Sequence, residues 1–102
     1  MADLFSKLKD ARKRIEDAKK RLNDIIVETS VENGAIKVKA NANKVITSID
    51  ITQEFYDKAD KEALEDMLLS AINIALEEAA QKGEIEMKEI TRDMLPNFPG
   101  LV

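Results

Sequence analysis

The sequence has no cysteine, no histidine and no tryptophan, and only two prolines and three glycines in 102 residues. Without cysteine there is no disulfide framework to imply secretion, so the expected location is cytoplasmic. Without histidine or cysteine, a Ser-His-Asp relay, a Cys-His pair and any metal site built on imidazole or thiolate are excluded. Only carboxylates, lysines, hydroxyls and one tyrosine remain for chemistry. The composition therefore points away from an enzyme, with no catalytic, metal or cofactor residues and no small-molecule substrate expected. No apolar run exceeds three residues, so no segment is long enough to cross a bilayer as a helix. Asp3, Lys7, Lys9 and Asp10, with no apolar region behind them, do not resemble an export signal.

What is present is a folded, helix-prone composition, 44% hydrophobic and 35% charged, of a size that suits one small domain over 1–102. The net charge of −4 counts against a generic polyanion binder, yet it is unevenly spread. Residues 1–24 hold eight basic groups against five acidic ones, for +3, and the remainder carries −7. Such asymmetry suggests two surfaces with different tasks.

The basic segment is also strongly periodic. Leu4, Leu8, Ala11, Ile15, Ala18, Leu22 and Ile25 alternate spacings of four and three, the seam of a coiled coil. In that register Arg12, Lys13 and Arg14 take positions e, f and g, and Lys19, Lys20 and Arg21 take them again one heptad later. Asp10, Glu16, Asp17 and Asp24 fall at b or c, so the helix is expected to show an apolar seam, a basic flank and an acidic flank. It should run from Asp3, its cap, to about Asn23.

A three-stranded antiparallel meander follows over 25–51. Asn33-Gly34 is the strongest short hairpin signal, since a type I′ turn needs φ > 0 at both central positions. Closing the loop there sets Val27, Thr29 and Val31 opposite Ala40, Val38 and Ile36 on one face. Glu28 then meets Lys39, and Ser30 meets Lys37, on the other. Asn41–Lys44 make the second turn, with an asparagine taking the left-handed conformation. The third strand, 45–51, is expected to turn Val45, Thr47, Ile49 and Ile51 inward, leaving Ile46 on the outer face without an assignment.

Residues 52–58 read as a connector, and Asp60 as the cap of a long helix over 60–94. Its first half is apolar on two sides, with Leu64, Leu68, Ala71, Ala75 and Ala79 on one and Leu69, Ile72 and Leu76 on the other. Leu76, Ala80, Gly83, Met87, Ile90 and Met94 then continue as a single seam. Gly83 is either an interior glycine or a C-terminal stop, and the continuing seam favours the interior reading. Pro96 and Pro99 leave an irregular tail over 95–102. Met67, Met87 and Met94 read as packing residues. Phe5, Phe55, Tyr56 and Phe98 are too scattered for a base-stacking platform. The carboxylates Asp57, Asp60, Glu62, Glu65 and Asp66 suit helix capping and the helix dipole better than a metal.

Strands of six residues span about 20 Å, whereas helices of these lengths reach about 32 and 45 Å. The helices must overhang the sheet, and an overhanging apolar seam needs cover. The simplest arrangement pairs the first helix with the distal half of the last, alanines facing Ala80 and Gly83. A second subunit then covers the two-sided stretch, giving a homodimer with projecting, coiled-coil-like arms.

The ordered set Leu4-Phe5-Ser6-Lys7-Leu8-Lys9, Val27-Glu28, Gly34, Ile36-Lys37-Val38, Ile49-Asp50-Ile51, Leu64 to Leu68, Ala71 to Leu76 and Pro99-Gly100-Leu101 resembles the YbaB/EbfC family of bacterial nucleoid-associated proteins. The resemblance implies an α+β, α-β-β-β-α subunit, a tight homodimer, and DNA binding by helices that project like tweezers, in the cytoplasm and nucleoid. This sequence departs from the family in its sparse hairpin glycines, with Asn43 or its neighbour in place of the second, in Thr52 where a proline is common, and in a helix richer in Lys and Arg.

The basic stripe then has two readings. Arg12, Lys13, Arg14, Lys19, Lys20 and Arg21 contact the phosphates of double-stranded DNA, or the e and g members pair with acids of the last helix such as Glu77, Glu78, Glu84, Glu86 and Glu89. Lys13 and Lys20, at f, point away from the seam and are the strongest candidates. The competing functional class is a dimeric protein–protein interaction module whose arms clasp another protein.

Overall fold

Strand pairing in this chain starts from a tight turn. The computed structural model describes residues 2–94, in the order α1 (Ala2–Leu22), β1 (Ile26–Val31), β2 (Ile36–Asn41), β3 (Ile46–Ile51), α2 (Gln53–Lys58) and α3 (Lys61–Met94). The tail over 95–102, with Pro96, Phe98 and Pro99, lies outside the described residues. The architecture is α+β, with a three-stranded antiparallel sheet in the order β1-β2-β3, preceded and followed along the chain by a long helix.

Val27, Thr29 and Val31 lie opposite Ala40, Val38 and Ile36, and Glu28 and Ser30 opposite Lys39 and Lys37. This is the register that the Asn33-Gly34 turn dictates. Asn33 has φ 55° and ψ 36°, and Gly34 has φ 90°, the left-handed pair of a type I′ turn. The Ala35 N–H closes it on the Glu32 carbonyl at 3.1 Å. Glu32 also has a positive φ of 52°, which bends the chain away and ends the ladder at Val31–Ile36.

The third strand corrects the sequence reading. Ile51, Asp50, Ile49 and Ser48 pair with Ile36 to Lys39 in turn, and then Ile46 pairs with Ala40. Thr47 is an extra residue with no partner, a β-bulge that resets the alternation. Ile46, Ile49 and Ile51 therefore share the core-facing side, where Ile46 and Ile51 pack against the core and Ile49 stays exposed, while Val45 and Thr47 are also exposed. Ile46, unassigned by strict alternation, packs against the core. In the preceding turn the Asn41 side-chain oxygen accepts the N–H groups of Asn43 and Val45, at 2.9 and 3.2 Å. Lys44, not an asparagine, takes the left-handed conformation at φ 64°.

The core is Ile36, Val38 and Ala40 against Ala71, Ala75 and Ala79, all fully buried. A spacing of four sets the three alanines in one row of α3, so the helix lies close on the sheet. Full burial of Ile36 and Val38 stabilises the fold by about 1.5–3 kcal/mol each. Leu64, Met67, Leu68 and Ile72 extend this contact.

Residues 53–58 form a helix rather than a plain connector. The Thr52 hydroxyl accepts the Phe55 N–H at 3.3 Å as its cap, and Phe55 packs against the core. Asp60 caps α3, accepting the Ala63 N–H at 2.7 Å. Helix α1 begins at Ala2, so Asp3 sits inside its first turn instead of capping it, where its charge still complements the helix dipole.

Helix α3 runs unbroken through Gly83 for 34 residues. A Cβ at Gly83 would collide with the carbonyl oxygen of Ala42 in the β2–β3 turn. The nearest neighbour of this glycine is thus that turn, and α1 also packs against α3. On the other side of α3, Leu69 and Ile74 are exposed and Leu76 half-buried, while Ile72, expected beside Leu69 and Leu76, packs against the core instead because it lies only about 60° around the helix from Ala75. The chain measures 67 × 23 × 17 Å with a radius of gyration of 19.3 Å, against about 13 Å for a globular domain of this length.

Candidate nucleic-acid interface

Helix α1 is tethered at its C-terminal end. The last four carbonyls of a helix lack intrahelical partners, and here the chain supplies them. Asn23 N–H bonds the Lys20 carbonyl at 3.1 Å and Asp24 N–H the Arg21 carbonyl at 3.0 Å. Ile25 N–H and Ala42 N–H both bond the Leu22 carbonyl at 3.2 Å. The Asn43 side-chain amide donates to the Lys19 carbonyl at 2.8 Å and to the Asn23 side-chain oxygen at 2.6 Å. The β2–β3 turn therefore serves as the cap of α1, and basic side chains in its last turn are not needed for that purpose.

The seam of α1 has one face but two fates. Ala18 and Leu22 are buried, whereas Leu4, Phe5 and Leu8 are 61, 71 and 57% exposed. The apolar face continues past the point where the rest of the subunit can cover it. That leaves α1 as an arm, fixed at Leu22 and open toward Ala2.

Arg12, Lys13, Arg14, Lys19, Lys20 and Arg21 are all exposed on this arm. They form three pairs seven residues apart, each separated by about 10.5 Å along the axis. Lys13 and Lys20 point directly away from the seam, with the other two pairs about 100° to either side. Among the described residues, no carboxylate lies within ion-pair distance of any of the six. The acids proposed as partners on α3 are otherwise engaged in part. Glu84 and Glu86 pair with Lys88 and Lys82 on their own helix, and Glu78 accepts the buried Thr29 hydroxyl at 3.0 Å.

Helical geometry does correct one expectation. Positions b and c lie between e, f and g around an α-helix, so Glu16 and Asp17 fall between the basic rows. No separate acidic flank exists. Those carboxylates dilute the positive field, and exposed charges at this spacing interact weakly in water. Helix-dipole complementarity accounts for cations in the last turn, Lys19 to Arg21, but not for Arg12 to Arg14 in mid-helix.

The cleft at the other end of the sheet involves none of these residues. It is open and shallow, between the Glu32–Ala35 turn and α2, and is lined by Glu32, Asn33, Thr52, Phe55 and Lys58. No group of three or more potential metal ligands occurs among the described residues, and no helix among them is long and apolar enough to cross a membrane. The Asn43 clamp escaped sequence reading, because an asparagine in a turn signals only its own turn until the position of α1 is known.

Residues 1–94 match the YbaB/EbfC DNA-binding family. The chain belongs to that family. It is 34% identical over 98 residues to a protein named nucleoid-associated protein from Flavobacterium johnsoniae, covering 96% of this chain and 91% of that one. A nucleoid-associated protein of Ruminiclostridium cellulolyticum is 37% identical over 101 residues, covering 99% and 87%. An uncharacterized protein of Helicobacter pylori with a solved crystal structure shares the fold at a TM-score of 0.70 and 22% identity, covering 93% and 96%. The YbaB/EbfC match takes in α1, the sheet and all of α3, so both the arm and its anchoring turn belong to the family's domain.

Proposed function

We propose that this chain is a nucleoid-associated protein that binds duplex DNA as a homodimer, through phosphate contacts from α1. The observation that carries this reading is the set of six exposed basic side chains on one projecting helix, without ion-pair partners among the described residues. Lys13 and Lys20 lead the contact, because their row points furthest from the subunit, and Arg12, Arg14, Lys19 and Arg21 reach phosphates from the sides. The −7 carried by residues 25–102 repels DNA elsewhere and confines it to the arms. Recognition is of backbone and shape, since no base-reading module stands out in the sequence or among the described residues. Catalysis has no place in this reading, and the protein acts in the cytoplasm at the nucleoid.

The dimer is supported by exposed apolar surface. Leu4, Phe5 and Leu8 on α1 and Leu69, Ile74 and Ile85 on α3 are uncovered in the single chain. The radius of gyration exceeds the globular expectation by about half. A second copy related by a two-fold axis is the commonest cover for such surface. The same exposed tip of α1 supports the competing reading, in which the arms hold another protein.

Titration of duplex DNA between about 50 and 200 mM salt separates the two. Six neutralised phosphates predict a loss of affinity of about 1,000-fold across that range. Lys13→Glu combined with Lys20→Glu should weaken binding at low salt and flatten the salt dependence. Binding indifferent to salt, or unchanged by the double reversal, refutes phosphate contact by α1. Sedimentation equilibrium at the mass of one chain refutes the dimer.

A further inference from the structure

Lys44 stands in a conformation that costs it something. Its φ of 64° is left-handed backbone that glycine or asparagine adopts more readily than a long side chain. The two asparagines of the same turn are both engaged. Asn41 closes the turn through its side-chain oxygen, and Asn43 clamps α1 through its amide. The backbone bond that Lys44 makes, its N–H to the Asn41 carbonyl at 3.0 Å, is one any non-proline residue could make. Its side chain is exposed, and no carboxylate lies within ion-pair distance of it among the described residues. None of the hydrogen bonds that hold the turn uses the Lys44 side chain.

The location supplies a reason. Lys44 directly follows the residue whose amide touches the Lys19 carbonyl, and Ala42, two residues before it, bonds the Leu22 carbonyl. The turn is therefore locked against the end of α1 that carries Lys19, Lys20 and Arg21, which brings the backbone of Lys44 to that end of the helix. We propose that Lys44 is a further phosphate contact for duplex DNA, held in place beside α1 by the Asn43 clamp. This rests on the DNA-binding reading above. A ligand gripped by both elements senses the angle between arm and sheet, which a contact through α1 alone does not. The sheet end thereby becomes part of the interface.

The test compares Lys44→Gly, which removes the charge and relieves the backbone, with Lys44→Arg, which keeps the charge. Both are titrated with a duplex of about 30 base pairs over a range of salt, alongside wild type and the Lys13→Glu, Lys20→Glu double variant. Lys44→Gly should reduce the slope of log affinity against log salt by about 0.9 for each protomer engaged. Its thermal midpoint should equal or exceed that of wild type, and Lys44→Arg should retain the wild-type slope. A role confined to the turn moves the midpoint and leaves the slope alone. An unchanged slope in Lys44→Gly, with the α1 double variant impaired, overturns the Lys44 contact and leaves the α1 interface standing. Wild-type protein that does not bind duplex DNA overturns both.

Discussion

The carbonyl oxygen of Ala42 occupies the space that a side chain at position 83 would need, so the β2–β3 turn and α3 meet backbone to backbone at Gly83. Two opposing effects therefore meet in Gly83→Ala. Helix propensity favours alanine by about 1 kcal/mol. The added Cβ meets a fixed carbonyl, and forced displacement at a packed contact costs about 1–3 kcal/mol. The clash should prevail, with a lower denaturation midpoint for Gly83→Ala and a larger loss for Gly83→Val. A stabilised Gly83→Ala would show that the two segments separate freely.

Asn43→Ala removes both amide bonds from the end of α1. Net contributions of this kind are about 0.5–1.5 kcal/mol each, and the partners are solvent-accessible, so a total loss of about 1–2 kcal/mol is expected. Hydrogen exchange should quicken in α1 well before it does in β2, because the core of Ile36, Val38 and Ala40 does not depend on the clamp. Uniform acceleration across the chain would contradict a local clamp.

Deletion of Thr47 should be tolerated. Ser48 pairs with Lys39 and Ile46 with Ala40, so removing the unpaired residue leaves a continuous ladder with Ile46 and Ile49 still on the core-facing side. Deletion of Asp50 instead shifts the residues before it by one and reverses their faces. Chemical denaturation should show a cooperative transition for the Thr47 deletion, with a loss within the ordinary range of about 0.5–3 kcal/mol, and a far less stable Asp50 deletion.

The mid-helix and last-turn cations of α1 should differ in kind. Arg12→Gln with Arg14→Gln should weaken DNA binding while changing stability by under about 0.5 kcal/mol, as for exposed positions without partners. Lys19→Gln with Arg21→Gln should weaken binding and also cost about 0.3–1 kcal/mol, because these charges complement the helix dipole. Parallel titrations and thermal melts at two salt concentrations measure both effects.

Much of the fold is legible in sequence because it is decided locally. Asn33-Gly34 sets the register of β1 on β2 through backbone sterics, and the four-three spacing of Leu4 to Leu22 defines which face of α1 is apolar. The cap of α3 at Asp60 is equally local, as is the choice of residue types on the arm. The inward turn of Ile46 is not, because a bulge at Thr47 is a property of a pair of strands, and alternation along one strand cannot reveal it. The helix at 53–58 depends on Phe55 finding the core, a contact between distant segments.

Sequence alone determined the order of the three strands and two long helices, the apolar faces of α1, β1 and β2 and the concentration of positive charge in the first quarter of the chain, since each follows from spacing and composition. Tertiary structure decided where that charge stands. The β2–β3 turn ties α1 down at Leu22 and leaves its other end uncovered, because the sheet is shorter than the helices it supports. It also decided that Gly83 serves a close approach to Ala42 and that Lys44 lies beside the arm, as both depend on which distant backbone the folded chain brings near.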